Sequence, residues 1–140
     1  MREIQDVIEA RAQRLSAGDA KGMVEYYAPG VVQFSLAPPL GATIDGNDPG
    51  PTEQWLAGFA APPRREVTQL QVTADGDVAF ATSIDSMTAT PQGATEPFTL
   101  WYRVTVGLRR IDGRWLITHE HASVPFYMDG SFKAAVDLKP

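Results

Sequence analysis

The feature that most constrains the fold is a change in the spacing of apolar residues near residue 65. Before it, apolar residues recur every three or four positions, as Ile4, Ile8 and Leu15 do, which is typical of amphipathic helices. After it, apolar and polar residues alternate, which is typical of strands with one buried face. Helices followed by strands with short turns predict an α+β fold with an antiparallel meander.

The first half of the chain is predicted to contain three helices. The first covers residues 3–17, the second follows Asp19 and carries Met23, Val24 and Tyr27, and the third begins at Pro51. A brief strand is predicted at residues 31–34, and the proline- and glycine-rich segment 36–51 is predicted to be an irregular loop over a functional site. Four longer strands are predicted in the second half, at residues 66–74, 77–90, 97–110 and 114–124.

Composition excludes several classes of function. The chain has 140 residues, a net charge of −5 and no cysteine, so disulfides, thiolate zinc sites and cysteine nucleophiles are excluded. It has no run of Lys or Arg, and we expect neither nucleic acid nor a membrane as partner. The N-terminus lacks the apolar stretch of a signal peptide, so we expect a cytoplasmic protein.

The last two predicted strands define a candidate pocket wall. If Asp112-Gly113 forms a two-residue turn, the more apolar face of this hairpin ends in His119, His121 and Ser123. We expect that face to pack on the helices, with the histidines at the polar end of a ligand pocket. A single bulge would reverse the facing and turn Glu120 inward instead.

Candidate catalytic residues are His119, His121 and Arg103. The two histidines project the same way on a strand, so they could exchange protons with a ligand, or could simply be hydrogen-bonded residues that close the core. A metal would need a third ligand that the sequence does not supply, so we predict no metal and no cofactor. Arg103 could bind a carboxylate or enolate oxygen, or could pair with Glu120 on an outer face.

A second set of side chains is predicted to contact a ligand rather than to catalyse. The aromatic members are equally typical of a packed core, although the hydroxyl of Tyr27 must find a polar partner. Asp85 could act as an acid or could be a solvated strand carboxylate. The predicted ligand contacts are Tyr27, Trp55, Trp101, Asp85 and Glu120.

The order of elements and three short motifs resemble a known superfamily. The motifs are Ala17-Gly18-Asp19, Arg103-Val104-Thr105 and Trp115-x-Ile117-x-His119-x-His121-x-Ser123. Together they resemble the SnoaL-like, ketosteroid-isomerase-related group of the nuclear transport factor-like superfamily, and the last motif also resembles the calcium/calmodulin-dependent kinase association domain. The resemblance covers residues 3–124 of a predicted single domain, 1–140, with a tail at 125–140.

The resemblance implies a cone with an internal pocket: three N-terminal helices packed on a curved antiparallel sheet. It also implies a homodimer formed through the sheets. Because a free apolar tail would promote aggregation, we expect residues 125–140 to pack on the sheet or on the partner subunit. Aligning the last strand with the isomerases and cyclases without a gap places Glu120 inward. Polyketide cyclases and epoxide hydrolases of the group use an Asp-centred acid–base site, for which only Asp85 and Glu120 are available on these strands.

The resemblance leaves two functions open. Ketosteroid isomerases of this group need a carboxylate where this chain has Gln33-Phe34-Ser35, and an acid where it has Arg103 and Thr105. We therefore do not expect true ketosteroid isomerase activity. The first hypothesis is a cofactor-independent acid–base enzyme of isomerase, cyclase or hydrolase type, acting on a compact apolar carbonyl, hydroxyl or epoxide compound. The second is a non-catalytic ligand-binding or oligomerisation domain.

Overall fold

The computed structural model describes residues 1–140, which form three helices and six strands. The helices are α1 (Arg2–Ser16), α2 (Ala20–Val24) and α3 (Gly50–Leu56). The strands are β1 (Tyr27–Phe34), β2 (Ala42–Asp45), β3 (Arg64–Asp75), β4 (Val78–Ala89), β5 (Phe98–Ile111) and β6 (Arg114–Ser123). The predicted α+β class is confirmed.

All six strands belong to one curved, unclosed sheet in the order β2-β1-β6-β5-β4-β3. Neighbouring strands are antiparallel except β1 and β6, which run parallel. β1 lies between β2, the next strand along the chain, and β6, the last strand. The meander β3–β6 matches the four strands that the alternating pattern predicted.

The core lies between α1, α2 and one face of this sheet. Ile4, Ile8 and Leu15 of α1 belong to one buried cluster with the inward residues of the long strands. On β5 the buried members of that cluster alternate, as expected for a strand with one face against helices; they are Tyr102, Val104, Val106 and Leu108.

The break between the first two helices follows the predicted signals. Gly18 adopts a φ of 73°, and the next amide, that of Asp19, donates to the Arg14 carbonyl at 2.9 Å. A side chain at position 18 would strain this left-handed turn, which explains the glycine. Oδ1 of Asp19 then accepts a hydrogen bond from the Gly22 amide at 2.9 Å and caps α2.

Two predicted boundaries are wrong. Tyr27 begins β1 and does not lie on α2, because the helix ends at Val24 and the strand passes through Pro29 and Gly30 at an irregularity in the pairing. Within the loop predicted at residues 36–51, Ala42–Asp45 form a short edge strand, since these four residues contain neither proline nor glycine and can pair with β1.

The tail after β6 folds back on itself. The Tyr127 amide donates to the Lys133 carbonyl and the Ala135 amide to the Pro125 carbonyl, both at 2.8 Å. Ala135 is buried, whereas Phe132 is 72% exposed. No helix in the chain is both long and apolar enough to span a membrane.

Candidate functional site

A bulge in β6 decides which side chains face the helices. Leu108 pairs with Ile117, but Gly107 pairs with His119, so Thr118 is an extra residue in the ladder. The hydroxyl of Thr118 donates to the Gly107 carbonyl at 3.3 Å. Because one extra residue shifts a strand's alternation by one, Glu120 faces inward and the histidines face outward. The predicted inward facing of the histidines is wrong for this reason.

A cavity of about 550 Å³ lies between the helices and the sheet. More than half of its 24 lining residues are hydrophobic. Its outer part is formed by the segment around Leu36, Pro38 and Pro39 together with Trp55, which is 43% exposed. Its inner part is polar and is lined by Tyr27, Arg65, Tyr102 and Glu120.

Glu120 is held through one of its two carboxylate oxygens. Its Oε2 accepts a short charge-assisted hydrogen bond from Nη1 of Arg11 and a second from the hydroxyl of Tyr27 at 3.0 Å. Arg11 on α1 is completely buried, and its Nη1 also lies 3.4 Å from the Tyr27 hydroxyl oxygen. The other oxygen of Glu120, Oε1, accepts no hydrogen bond from the protein, so it remains available to a ligand.

The surroundings of Glu120 favour its ionised form. Burial raises the pKa of this carboxyl, but the positive charges of Arg11 and Arg65 and the hydrogen bonds from Tyr27 and Arg11 outweigh burial. The pKa of Glu120 therefore lies below its ordinary value. At neutral pH the cavity contains a carboxylate.

Arg65 lies at the start of β3 and is anchored by Asp85 of β4. Its Nε and Nη2 donate to Oδ2 of Asp85 at 2.9 and 2.8 Å, and Oδ1 of Asp85 accepts from the Ser83 hydroxyl at 2.7 Å. Burial lowers the pKa of Arg65, but Tyr102, Glu120 and Asp85 raise it by more than burial lowers it. The guanidinium therefore stays charged. Its third nitrogen, Nη1, donates to no protein atom. Arg65 also borders a shallower depression of about 330 Å³ between α1 and β3.

Tyr102 of β5 completes the polar inner part of the cavity, which we call its polar end. Its hydroxyl makes no hydrogen bond to the protein, and Cζ of Arg65 lies 5.7 Å from the centre of its ring. The only fully enclosed side-chain nitrogen or oxygen atoms without a partner are Nε and Nη2 of Arg11, so the Tyr102 hydroxyl is not sealed inside the core. Burial raises the pKa of Tyr102, and it raises that of Tyr27 to about 12. Both hydroxyls are therefore protonated donors at neutral pH.

The structure brings three of the predicted site residues to the cavity, namely Tyr27, Trp55 and Glu120. Asp85 does not line the cavity, but it holds Arg65, which does. The alternative of a solvated strand carboxylate is wrong, because Asp85 is completely buried in this ion pair.

The other predicted site residues lie away from the cavity. Nδ1 of His119 is 2.8 Å from the Val32 carbonyl oxygen, and Phe34 packs edge-on against both His119 and His121. Arg103 is exposed, and its Nε donates to the Ser123 hydroxyl at 3.2 Å. Trp101 is outside the cavity lining, because its neighbour Tyr102 takes the inward position on β5.

Sequence reasoning missed Arg11, Arg65 and Tyr102 as site residues. Arg11 is charged, yet the spacing 4, 8, 11, 15 puts it on the buried stripe of α1. A charged residue on an apolar stripe is the signal that could have identified it. Arg65 similarly shares its side of β3 with the half-buried Val67.

Comparison with known proteins places this arrangement in a family. The sequence model of the SnoaL-like domain family matches residues 4–127 of this chain. The chain belongs to the SnoaL-like family. The predicted resemblance is thus confirmed, and no protein with a curated function matches this SnoaL-like protein.

Solved structures agree with this assignment. An NTF2-like protein of unknown function from Pseudomonas putida is 32% identical, with a TM-score of 0.85 and coverage of 99% of this chain and 95% of that one. A Novosphingobium aromaticivorans protein provisionally named a scytalone dehydratase is 15% identical, with a TM-score of 0.78 and coverage of 96% and 90%. A ketosteroid isomerase-like protein from Erwinia carotovora is 17% identical, with a TM-score of 0.71 and coverage of 87% and 93%. The last two show similarity of fold.

Proposed function

We propose that this SnoaL-like protein is an acid–base enzyme that acts on a compact, largely apolar oxygen compound, in the first place an enolisable carbonyl compound. One observation carries the proposal: Glu120, whose Oε1 accepts no hydrogen bond from the protein, lines one apolar cavity with Tyr102 and Arg65, whose hydroxyl and Nη1 donate to no protein atom. A carboxylate beside donors without partners is the arrangement that proton transfer next to a carbonyl requires.

The proposed reaction begins with proton abstraction. Oε1 of Glu120 takes a proton from the carbon next to the carbonyl; the electron pair of that C–H bond forms a carbon–carbon double bond, and the π pair of the carbonyl moves onto its oxygen. Tyr102 and Arg65 donate hydrogen bonds to the oxyanion that forms. The proton then returns to the same carbon or to another one, or it leaves with a departing hydroxyl group, so isomerisation, cyclisation and dehydration share this first step.

The names of related structures support this reaction class. One is provisionally named a scytalone dehydratase and another is called ketosteroid isomerase-like. At 15% and 17% identity they share the fold with this chain, and the proposal depends on the geometry of Glu120, Arg65 and Tyr102.

A non-catalytic ligand-binding domain is the second candidate. The observation that favours it is the lowered pKa of Glu120, which makes this carboxylate a weaker base than one with an ordinary pKa. In such a protein the same groups would hold a ligand without moving a proton.

Hydrogen exchange distinguishes the two candidates. In D₂O, the wild-type protein should exchange protons next to the carbonyl group of one or more members of a panel of bicyclic ketones faster than buffer does, as measured by NMR. Glu120→Gln should slow the catalysed exchange by about a hundredfold or more because it removes the base. Glu66→Gln, on the same sheet but exposed, is the matched control and should keep the wild-type rate.

Two results would contradict the catalytic proposal. One is a Glu120→Gln variant that exchanges protons as fast as the wild type. The other is a wild-type protein that binds the ketones but never exceeds the buffer rate, which favours the ligand-binding domain.

We also propose that the protein forms a homodimer through the outer face of its sheet. Val78 and Phe80 of β4 expose more than half of their surface there. Exposed apolar groups of this kind are common at subunit interfaces. Light scattering should give twice the chain mass of 15.2 kDa, and Phe80→Glu should reduce it to a single copy.

A further inference from the structure

We propose that the cavity selects ligands whose polar group is a single uncharged oxygen acceptor and that it discriminates against the matching carboxylates. This inference rests on the site of the proposed function and narrows its substrate class to neutral carbonyl compounds.

The first argument is charge balance at the polar end. Two positive groups, Arg11 and Arg65, face two negative groups, Glu120 and Asp85, in two direct ion pairs. A ligand carboxylate would add an uncompensated negative charge in a region where the four side chains are no more than 15% exposed. A neutral ligand leaves the balance intact, and proton abstraction only moves one negative charge from Glu120 to the ligand oxygen.

The second argument is the geometry of Arg65. A guanidinium binds a carboxylate best through two parallel N–H donors on one edge. Asp85 already occupies the edge formed by Nε and Nη2, at 2.9 and 2.8 Å. The donors that remain are those of Nη1 and the second N–H of Nη2. A ligand carboxylate bound there would add a second negative charge to a guanidinium that Asp85 already neutralises, whereas a neutral carbonyl oxygen can accept from Nη1 without that cost.

The third argument is the pairing of the remaining groups. The Tyr102 hydroxyl is the other free donor among the lining residues, and Glu120, whose Oε1 is a free acceptor, lines the same cavity. A ketone presents one acceptor to the two donors, and its weakly acidic C–H can face Oε1. A carboxylate would instead place an oxygen anion near the Glu120 carboxylate, which is repulsive at these short ranges.

The rest of the cavity favours an apolar ligand body. Its non-polar lining includes Leu15, Val24, Ile44, Met87 and Trp55. A volume of about 550 Å³ accommodates a molecule of the size of a naphthyl ketone. The matched pair that tests the inference is therefore methyl naphthyl ketone and naphthoate.

Titration calorimetry at neutral pH tests the selection. The wild type should bind methyl naphthyl ketone at least about tenfold more tightly than naphthoate, since charge repulsion at short range costs that much or more. Glu120→Gln removes the repelling charge with little change in shape, so its affinity for naphthoate should rise about tenfold while that for the ketone changes little.

A second variant tests the charge balance at Arg65. Asp85→Asn removes the buried negative charge that neutralises the guanidinium, so naphthoate affinity should rise here too. Asp77→Asn is the matched control, because Asp77 pairs with Arg110 at an exposed position away from the cavity. It should keep the wild-type preference.

Three results would overturn the inference: naphthoate binding as tightly as the ketone, binding of neither compound at its solubility limit, or an unchanged preference in folded Glu120→Gln. Failure of the proposed catalysis gives a different pattern. In that case the ketone is preferred and the variants shift the preference as expected, but no proton exchange is seen.

Discussion

At the scale of single residues, Arg11 carries a full positive charge into the space between α1 and the sheet. Its Nε and Nη2 have no partner there, and only Nη1 is used, by Glu120 and Tyr27. Removing a charge from water costs several kcal/mol, and the attraction to Glu120 offsets this cost only while both groups are present. The two residues therefore form one energetic unit.

Arg11→Met should destabilise the protein by breaking this unit. The change leaves a buried carboxylate without its main partner, and we expect the free energy of unfolding to fall by about 3 kcal/mol in chemical denaturation. It should also move the pH profile of proton exchange upward, because Arg11 is a main cause of the lowered pKa of Glu120.

The double variant Arg11→Met/Glu120→Gln should recover most of the lost stability, since no unpaired charge remains. Arg14→Met removes an exposed ion pair with Asp19 and should have little effect. Equal losses in the two single arginine variants would contradict this account.

At the scale of elements, strands β3–β6 could be predicted from the alternation of apolar and polar residues. Which side chains at the end of β6 face the helices could not be predicted in this way. Each stretch of β6 alternates correctly, and the bulge at Thr118 joins two stretches of opposite phase. A pattern of apolar residues cannot show such a join, because His119 and Glu120 are both polar and either order satisfies it. The same limit applies to Tyr27, whose place on β1 depends on pairing with distant residues rather than on local spacing.

Deletion of Thr118 should be tolerated, which is unusual for a residue inside a central strand. Without it the ladder becomes regular, and Ile117 and Glu120 both keep their inward facing. We expect a folded protein with a modestly lower melting temperature that still binds methyl naphthyl ketone.

Deletion of Leu116 is the matched comparison on the same strand. It would turn the fully buried Ile117 outward and Thr118 inward, which costs about 3 kcal/mol or more. Circular dichroism should show unfolding or a strongly reduced melting temperature. Equal melting temperatures for the two deletions would show that the bulge does not set the facing.

At the scale of the whole molecule, the polar end of the cavity couples stability to pH on both sides of neutrality. The pKa of Glu120 lies below its ordinary value, so its contribution to stability is present above the unfolded-state pKa and is lost as the pH falls through the folded-state pKa. The pKa of Tyr27 is raised to about 12 from an ordinary value of 10.0. Its contribution is present below pH 10 and is lost as the pH rises toward 12.

Because of Tyr27, the free energy of unfolding should therefore fall by about 2 to 3 kcal/mol as the pH rises from 10 to 12. Urea unfolding at a series of pH values measures the fall. Tyr27→Phe should make the fall shallower, while the raised pKa of Tyr102 leaves part of it in place. If the free energy of unfolding of Tyr27→Phe falls with pH as steeply as that of the wild type, then ionisation of Tyr27 does not cause the fall.

The polar end also has a consequence for the chain as it is synthesised and folded. Its side chains come from α1, β1, β3, β5 and β6, at positions from Arg11 to Glu120, and no two of them are neighbours in sequence. A nascent or partly folded chain that lacks either end lacks the pair of Arg11 and Glu120. The polar end is complete only when the last strand joins the sheet beside the first.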